Sequence, residues 1–391
     1  MVLGSNRMTR VWAVAGVSIG VVAGVGALPA DAVSGSSPVF RKPFLEAGTA
    51  KLGGYIDMEF VVDPETSTFD QHRFVPFIYA EVSEWVHVAS EIEFEHGGSV
   101  SGDGGDGEIK LEFATMDLTL SEGLNFRGGV ILSPLGRLNV HHDSPMLDLT
   151  DRPIVTRRVV PTTLSESGLG FYGTLYPSEL TVLDYEVYLV NGFSEDVVSG
   201  GRLDMRAGRG SQSSDNNNHR SIVGRLGFSP RLGLNLGVSG HVGAYDDQGE
   251  ERLTVVAFDG QLAHGPFELL GEGAVAKATI GASVEDPTPG TAPTDAGTAG
   301  FYAEARYHLF SGAVSRFPQS VFTAVARLDH VDRDTEADGA LEQRITLGLN
   351  FRPTEDSVFK NDLVFGRTKG VEAGDWDDFE VGYRFSMATY F

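Results

Sequence analysis

The alternation of side chains from Phe379 to Phe391 constrains the fold more than any other feature of the sequence. One set of alternate positions is almost entirely apolar, and the other mixes Glu380 and Arg384 with small residues. A repeat of two residues is that of a β-strand with one apolar face. The stretch has about thirteen residues, whereas strands usually have about 5–6 and a tilted strand that crosses a bilayer needs about 9–11. The pattern therefore favours a membrane-embedded sheet over a soluble sandwich that ends in Phe.

The same alternation recurs along the whole chain. Ile345, Leu347 and Leu349, for example, alternate with polar or small residues. A slip of phase near Ala114 predicts a β-bulge there. We predict about sixteen strands, at 50–62, 72–82, 86–96, 109–120, 124–133, 166–176, 180–192, 219–229, 233–245, 252–264, 266–278, 299–311, 320–332, 340–352, 356–368 and 377–391.

The connections between these strands alternate between short and long. The short ones consist of turn residues such as Gly265-Pro266. The long ones are at 63–71, 97–108, 134–165, 193–218, 246–251, 279–298, 333–339 and 369–376. This is typical of an all-β, transmembrane, antiparallel up-and-down barrel with tight turns on the periplasmic side and longer loops on the extracellular side.

The charged residues indicate which face of each strand is turned inward. If Ile92 and Phe94 face lipid, the neighbouring glutamates face the lumen, because a carboxylate near the bilayer midplane costs a few kcal/mol. A barrel of sixteen strands leaves an aqueous channel that would solvate them. The predicted lumen-lining residues are Asp57, Glu59, Glu91, Glu93, Glu95, Arg127, Glu186, Arg225, Arg306, Arg327, Arg344 and Arg384.

Composition excludes several classes of protein. The chain has 391 residues, no Cys and a formal net charge of -24. The absence of Cys excludes disulfide scaffolds and thiolate metal sites, and the acidic balance argues against a nucleic-acid partner. The adjacent His141, His142 and Asp143 are weak candidates for metal ligands, since such residues are usually simple polar residues in a loop. We predict no cofactor, no metal and no enzymatic activity.

The N-terminus has the features of a targeting segment. Arg7 and Arg10 precede an apolar run, and 29–32 supply a cleavage site of the A-x-A type. We expect a signal peptide at 1–32, a polar lead-in at 33–48 and the barrel at 49–391. A membrane anchor is the competing interpretation of the apolar run, and the sequence leaves open whether Met1 or Met8 is the start.

The connection at 134–165 is predicted to narrow the lumen. A loop of this length in an ordered domain is usually functional or disordered, and its many apolar residues favour packing. The inner wall is the surface on which it can pack in a wide barrel. The predicted constriction residues are Arg137, Asp143, Asp148, Asp151, Arg152, Arg157 and Arg158.

The run from Gly136 to Gly173 resembles the corresponding segment of the phosphate-selective porin family. The matching elements are Gly136-Arg137, Asp151-Arg152-Pro153, Pro161-Thr162-Thr163, and Glu166 with Gly168 and Gly170. The resemblance implies a trimeric sixteen-stranded outer-membrane porin of a Gram-negative bacterium, with an inward third long loop and anion-binding lumenal arginines. Of the arginines in this run, only Arg137 and Arg152 match the family's anion-binding arginines. Lys is scarce here and the lumen looks acidic, which argues against phosphate selectivity.

The final strand is similar to the closing strand of bacterial outer-membrane barrels. In that group the terminal aromatic, here Phe391, is part of the signal read by the barrel assembly machinery. The sequence therefore predicts a bacterial outer-membrane porin, surrounded by outer-membrane lipid and assembled as a homotrimer, through which small hydrophilic solutes or ions diffuse passively. Three alternatives stay open: an anion- or phosphate-selective channel with arginines at the constriction, a barrel that sheathes a periplasmic partner protein, and an outer-membrane hydrolase.

Overall fold

The protein is a closed antiparallel β-barrel of sixteen strands. The computed structural model describes residues 50–97, 107–210, 212–281, 294–337, 339–370 and 375–391, so the predicted signal peptide and lead-in lie outside the described residues. The predicted fold class is confirmed. The barrel strands are β1 (Ala50–Val62), β2 (Ser67–Glu81), β3 (Val86–Glu95), β4 (Glu108–Ser121), β5 (Leu124–Leu132), β6 (Ser165–Leu175), β7 (Val182–Val190), β10 (Ser221–Arg231), β11 (Leu234–Ala244), β12 (Arg252–His264), β13 (Phe267–Ile280), β14 (Thr294–Ser311), β15 (Val321–Asp332), β16 (Leu341–Thr354), β17 (Ser357–Lys369) and β18 (Glu380–Tyr390).

The first and last strands close the barrel. β1 pairs with β18 from Tyr55 opposite Tyr390 to Val62 opposite Tyr383. Phe391 extends this seam, because its backbone N–H donates to the Gly54 carbonyl at 3.0 Å and its ring stacks on Phe74. The terminal aromatic is therefore part of the closure of the sheet, and its role as an assembly signal stays a prediction.

The strands have an apolar exposed face, and their buried face holds polar and charged side chains together with an apolar patch on β12 and β13 that includes Val255 and Ala276. On β16, Leu347 and Leu349 are 46% and 49% exposed. Thr346 and Asn350, which precede and follow this pair on the other face, are fully buried. In a closed barrel the less accessible face is the inner one. This arrangement is the reverse of a soluble protein, and it suits a wall with lipid outside and polar groups inside.

Two predicted connections are shorter than expected. The first, predicted at 63–71, is wrong, because β2 begins at Ser67 and only 63–66 form the turn. The polar residues Ser67 and Thr68 continue the strand, held by the pairing of Phe69 with Phe60, whose rings lie 4.5 Å apart. Likewise β14 begins at Thr294 rather than 299. In both places the polar composition predicts a loop, but pairing with the neighbouring strand extends the sheet.

The bulge predicted near Ala114 lies in β4. Glu91 pairs with Phe113 and Ile92 with Leu111, which leaves Glu112 as the extra residue. The buried face passes from Glu112 to Thr115 across this point. The bulge thus explains the slip of phase in the sequence.

Two long connections contain structure of their own. The connection between β7 and β10 holds a small two-stranded sheet of β8 (Val198–Ser199) and β9 (Arg202–Leu203). The connection between β5 and β6 spans 133–164, one residue before the predicted 134–165, and holds a 3-10 turn (Ser144–Met146) and α1 (Val155–Arg158). Within the described part of the chain, no helix has the length and hydrophobicity to cross a bilayer.

Candidate functional site

Segment 133–164 is bound to the buried face of the barrel through its own backbone. The N–H groups of Arg137 and Leu138 donate to one carboxylate oxygen of Glu272, at 3.0 and 3.1 Å. The Thr150 N–H donates to Asp362 at 2.7 Å and the Ile154 N–H donates to Asp329 at 2.9 Å. A buried backbone N–H without a partner is costly. Carboxylates on β13, β15 and β17 therefore satisfy a segment that has almost no regular structure.

Gly136 allows the segment to approach β13 closely. Its φ of +72° is in the left-handed region, and a Cβ at this position would collide with the Glu272 carboxylate. Its N–H donates to the Ser239 hydroxyl at 2.8 Å. A side chain here would strain the backbone and displace Glu272, so the geometry requires glycine.

Asp148 is the centre of a buried charge cluster. Its carboxylate lies 2.9 Å from an Arg306 nitrogen and 2.8 Å from an Arg352 nitrogen. Burial alone would raise the pKa of Asp148, but the charges of the two guanidinium groups outweigh it and hold that pKa well below its usual range. The carboxylate is therefore ionised and joins the segment to β14 and β16.

Asp151 joins the segment to the next strands. Its carboxylate lies 3.3 Å from Arg344 on β16 and 3.4 Å from Arg384 on β18. Arg384 also binds Asp63 at 2.7 Å, and Arg327 donates to the backbone carbonyl of Asp151. Three of the predicted lumen-lining arginines thus contact one residue of the segment.

The run His141-His142-Asp143 makes separate contacts. His142 Nε2 lies 2.7 Å from a Glu112 oxygen, and Asp143 accepts a hydrogen bond from the Tyr390 hydroxyl at 2.8 Å. Burial lowers the pKa of His141 to about 3, and the charges of Arg137 and Arg225 add to this effect. These residues do not form a metal-ligand group in the described part of the chain; two of them attach the segment to β4 and β18.

The rest of the segment packs through apolar side chains. Leu135, Ile154, Val155, Val159 and Val160 are at most 3% exposed and belong to one buried cluster with residues of the barrel wall. The apolar residues in the sequence of this connection had predicted packing rather than disorder. The segment has no long helix or strand, and these contacts with the wall order it.

A cavity of about 920 Å³ lies next to this segment. Its wall includes Glu95 at the end of β3 and Glu108 at the start of β4, so it is at the end of the barrel that has the long connections. Thr150 to Arg152 and Thr162 to Thr163 form another part of the wall. A third part comes from 202–207 and Arg209 of the connection between β7 and β10.

Basic groups outnumber acidic groups in the described wall of this cavity. The acidic side chains are Glu59, Glu93, Glu95, Glu108, Asp151 and Asp204. The basic side chains are Arg73, Lys110, Arg152, Arg157, Arg158, Arg202, Arg206, Arg209 and Arg333. The excess is notable in a chain with a net charge of -24, and it differs from the acidic lumen that the sequence led us to expect.

Several of these cations crowd around the end of the segment. Lys110 Nζ and an Arg209 nitrogen donate to the Thr163 carbonyl at 2.9 and 3.1 Å, and Arg206 donates to the Thr162 carbonyl at 3.3 Å. Burial and the nearby charge of Arg206 lower the pKa of Arg209. Carbonyl oxygens accept these hydrogen bonds without neutralising the charges, and Glu108 and Glu95 nearby offset part of them.

Arg152 is half-buried at the wall of the cavity. Its Nε and Nη2 atoms have no hydrogen-bond partner among the described residues. Burial lowers the pKa of Arg152, and the charge of Arg73 adds to this effect. A half-buried guanidinium with two unpaired donor atoms is suited to hold an anionic group that enters the cavity.

The other predicted residues occupy the buried face or the segment. Arg137 donates to Gln261 at 2.9 Å, Arg157 is exposed, and Arg158 pairs with Glu342. The predicted lumen-lining residues outside the clusters above form these pairs: Asp57 and Glu59 with His72, Glu93 and Glu95 with Arg73, Arg127 with Asp117, Glu186 with Tyr188, and Arg225 with Asp259. Glu91 is buried as well.

Sequence reasoning missed part of the site. Lys360 and Asp362 are not among the predicted lumen-lining residues. They alternate with Phe359 and Leu363, so the period of two indicates that they face inward. Glu112 was hidden by the bulge. Arg206 and Arg209 lie in a long connection, and nothing in their local sequence predicts that this connection reaches the end of segment 133–164.

Comparison with known proteins shows the fold. No family model matches the chain. An uncharacterized protein of Aquifex aeolicus (strain VF5) is 29% identical over 237 residues, which cover 59% of this chain, and the match spans about half of that protein's length (52%). The phosphate-selective resemblance therefore stays a prediction.

Several solved structures are similar. An anion-selective porin from Comamonas acidovorans has a TM-score of 0.56 at 13% identity, over 88% of this chain and 99% of that one. The outer membrane channel DcaP of Acinetobacter baumannii has a TM-score of 0.55 at 11% identity, over 88% and 97%. OmpT of Vibrio cholerae in a trimer form has a TM-score of 0.55 at 9% identity, over 88% and 100%. At these identities the likeness establishes a porin-like barrel.

Proposed function

We propose that this protein is an outer-membrane diffusion channel for small hydrophilic solutes, and that it is not an enzyme. The observation that carries the proposal is the closed sixteen-stranded wall, apolar outside and charged inside, with a 920 Å³ charged cavity within its long-connection end. Buried charges need water or partners, and a sixteen-stranded barrel is wide enough for water. Solved porins and outer-membrane channels of the same fold support the proposal and the location.

Segment 133–164 is proposed as the constriction of this channel. It contacts carboxylates on β13, β15 and β17, and it pairs with arginines on β14, β16 and β18. It also contacts β4 through His142. Contacts with strands on different parts of the wall support a segment that folds into the lumen.

The same contacts argue against a sheath for a periplasmic partner protein. A barrel that surrounds another protein needs a lumen free of its own loops. Here Asp148 and Asp151 hold the segment to the wall through pairs with four arginines. A partner would have to break these buried pairs, which is strongly unfavourable.

A hydrolase is also disfavoured by geometry. The described residues include a Ser, an acid and a His in contact, but Glu166 lies in the middle: Ser133 donates to it at 2.7 Å and His241 Nε2 lies 3.0 Å from its other oxygen. In a catalytic triad the His is between the Ser and the acid, so that it can take the hydroxyl proton. All three residues are buried, and this arrangement supports a structural role.

Within this function we propose a preference for anions over cations. The excess of basic groups in the cavity wall and the unpaired donors of Arg152 support it. Charges that line a pore raise the local concentration of ions of the opposite sign. Phosphate is one anion that such a wall would accept. The geometry supports a preference for anions as a class and does not single out one solute.

We also propose that the channel is a homotrimer, as the OmpT trimer form suggests. Light scattering of the refolded protein in detergent, corrected for bound detergent, tests the number of chains.

The function is tested with refolded protein in planar bilayers. We expect discrete single-channel steps in KCl, and under a KCl gradient a reversal potential whose sign indicates anion preference. Uptake of small sugars by vesicles that contain the protein is the second readout. A folded protein that gives neither steps nor uptake would contradict the channel, whereas steps with cation preference would contradict only the anion proposal.

A further inference from the structure

We propose that Asp57, Glu59 and His72 form a binding site for a divalent transition-metal cation such as Zn²⁺ in the barrel wall. His72 Nδ1 lies 3.0 Å from Asp57 Oδ2 and 2.7 Å from Glu59 Oε1. The three atoms all lie within 4.8 Å of one another. An imidazole nitrogen and carboxylate oxygens are ligands that Zn²⁺ binds at about 2.0–2.2 Å, so small side-chain rotations bring all three to one ion.

An irregularity in β2 brings His72 into this position. Asp57 pairs with Arg73, but Glu59 pairs with Asp70, so Gln71 and His72 both lie opposite the single residue between them on β1. In a regular strand, His72 and Arg73 would face opposite sides of the sheet. Here Arg73 is buried and His72 is half-buried on the same face. Bulges often re-aim a side chain at a functional site.

The two carboxylates of the group compete for one possible hydrogen atom. A single ring nitrogen carries at most one hydrogen atom, yet two carboxylates approach the same Nδ1. Asp57 is 1% exposed, and its Oδ1 atom has no hydrogen-bond partner among the described residues. An unpartnered buried carboxylate oxygen needs an explanation, and a bound cation supplies one.

Two cations lie near the group, and their hydrogen bonds are directed to other acceptors. Arg73 pairs with Glu93 at 2.5 Å and with Glu95 at 2.7 Å. Lys360 donates to the backbone carbonyl of Ser144 at 2.8 Å. Two carboxylates and one imidazole remain as ligands for a metal ion, and the charge of Lys360 nearby offsets part of theirs.

The site is accessible from solvent. Glu59 and His72 line the 920 Å³ cavity, which provides an entry path and room for water to complete the coordination. The donor set, with a nitrogen and few oxygens, suits Zn²⁺ and disfavours Ca²⁺, which takes 6–8 oxygen ligands. A bound ion would add positive charge to the cavity wall; this consequence depends on the proposed channel function, whereas binding itself does not.

Calorimetric titration of the refolded, tag-free protein with ZnCl₂ tests the site. We expect one Zn²⁺ per chain, and a loss of affinity of more than about tenfold in each of His72→Asn and Glu59→Gln, since even outer-shell changes cost about 10–100-fold. CoCl₂ should give visible absorption bands that excess ZnCl₂ removes and CaCl₂ does not. Circular dichroism establishes that each variant keeps its β-structure.

His308→Asn is the matched control. His308 Nε2 lies 3.5 Å from a Glu268 oxygen, and among the described residues His308 is not part of a three-residue group that could hold a metal ion, so this variant should bind Zn²⁺ as the wild type does. Absence of Zn²⁺ binding by folded wild-type protein would overturn the proposal, as would unchanged affinity in both His72→Asn and Glu59→Gln. Neither result depends on conductance, so failure of this proposal is distinct from failure of the channel function.

Discussion

The two parts of segment 133–164 use charge in opposite ways. From Gly136 to Asp151, the Ser239 hydroxyl and carboxylates of the wall accept hydrogen bonds from its backbone N–H groups, and its own carboxylates pair with arginines. From Arg152 to Thr163, it borders the cavity, where basic groups are in excess and Arg152 has unpaired donors. Ion pairs with the wall hold the first part in place, whereas the second part borders a space in which basic side chains outnumber acidic ones. Substitutions in the two parts should therefore differ in kind: stability in one, ion preference in the other.

The largest effect on stability is expected from Asp148→Asn. This change removes the one carboxylate that pairs with the half-buried Arg352, whereas Arg306 keeps its pair with Glu304 at 2.7 Å. We therefore expect a cost of about 3 kcal/mol, at the lower end of the range for breaking a buried pair. Urea unfolding in phospholipid vesicles, followed by tryptophan fluorescence, measures it. Asp356→Asn, at an exposed turn position, is the control and should change stability by less than about 0.5 kcal/mol. Equal stability of the two variants would show that the pairs do not anchor the segment.

The combined variant Arg157→Glu, Arg206→Glu and Arg209→Glu should reverse the ion preference. All three residues line the cavity, so the change converts its basic excess to an acidic one. The reversal potential under a KCl gradient should change sign. Arg231→Glu, Arg252→Glu and Arg316→Glu together alter the net charge equally but lie outside the cavity lining. If the control shifts the potential as much as the cavity variant, the preference follows net charge rather than the cavity.

A smaller effect is expected from acid. The folded-state pKa of Asp148 is depressed by its arginines, so its contribution to stability is complete above the unfolded value of about 3.9 and is lost as the pH falls below it. Unfolding measured from pH 7 to pH 3 should show this loss in the wild type. Asp148→Asn should lose less over the same range, and an identical slope in both proteins would exclude Asp148 as its source.

The smallest effect is expected from Arg158→Gln. Arg158 is in the second part of the segment and pairs with Glu342, but its side chain is 45% exposed. Exposed pairs contribute about 0–1 kcal/mol. The same urea measurement should give a change within that range. A loss as large as that of Asp148→Asn would remove the distinction between the two parts of the segment.

The barrel was predictable because its signal is repeated. The apolar face of β16 and the polar face that includes Thr346 alternate without interruption, and sixteen such stretches average out local errors. The strand boundaries were predicted wrongly where alternation and composition disagree. At Ser67, for example, polar residues predicted a loop although β2 already begins there. Cross-strand pairing, which one stretch of sequence does not contain, decided the boundary.

The site was less predictable, because it depends on contacts over long separations. Alternation placed Arg306, Arg344 and Arg384 inward, but not their pairing with Asp148 and Asp151. The alternation in the sequence predicts which face of the sheet a strand residue is on. Which residue of segment 133–164 it pairs with depends on the path of that segment. The position of His72 was unpredictable for a related reason, since a bulge reverses the rule that gives the face.

The central claim is that segment 133–164 narrows a conducting lumen, and single-channel conductance of a deletion variant tests it most directly. Removal of Leu147 to Val155 takes away both anchoring aspartates and should raise the conductance, because the narrowest part of a water-filled pore limits its current. Removal of the nine residues 282–290, from the connection between β13 and β14, is the matched control and should leave the conductance near that of the wild type. An unchanged conductance in the first variant, with its β-structure intact, would contradict the claim.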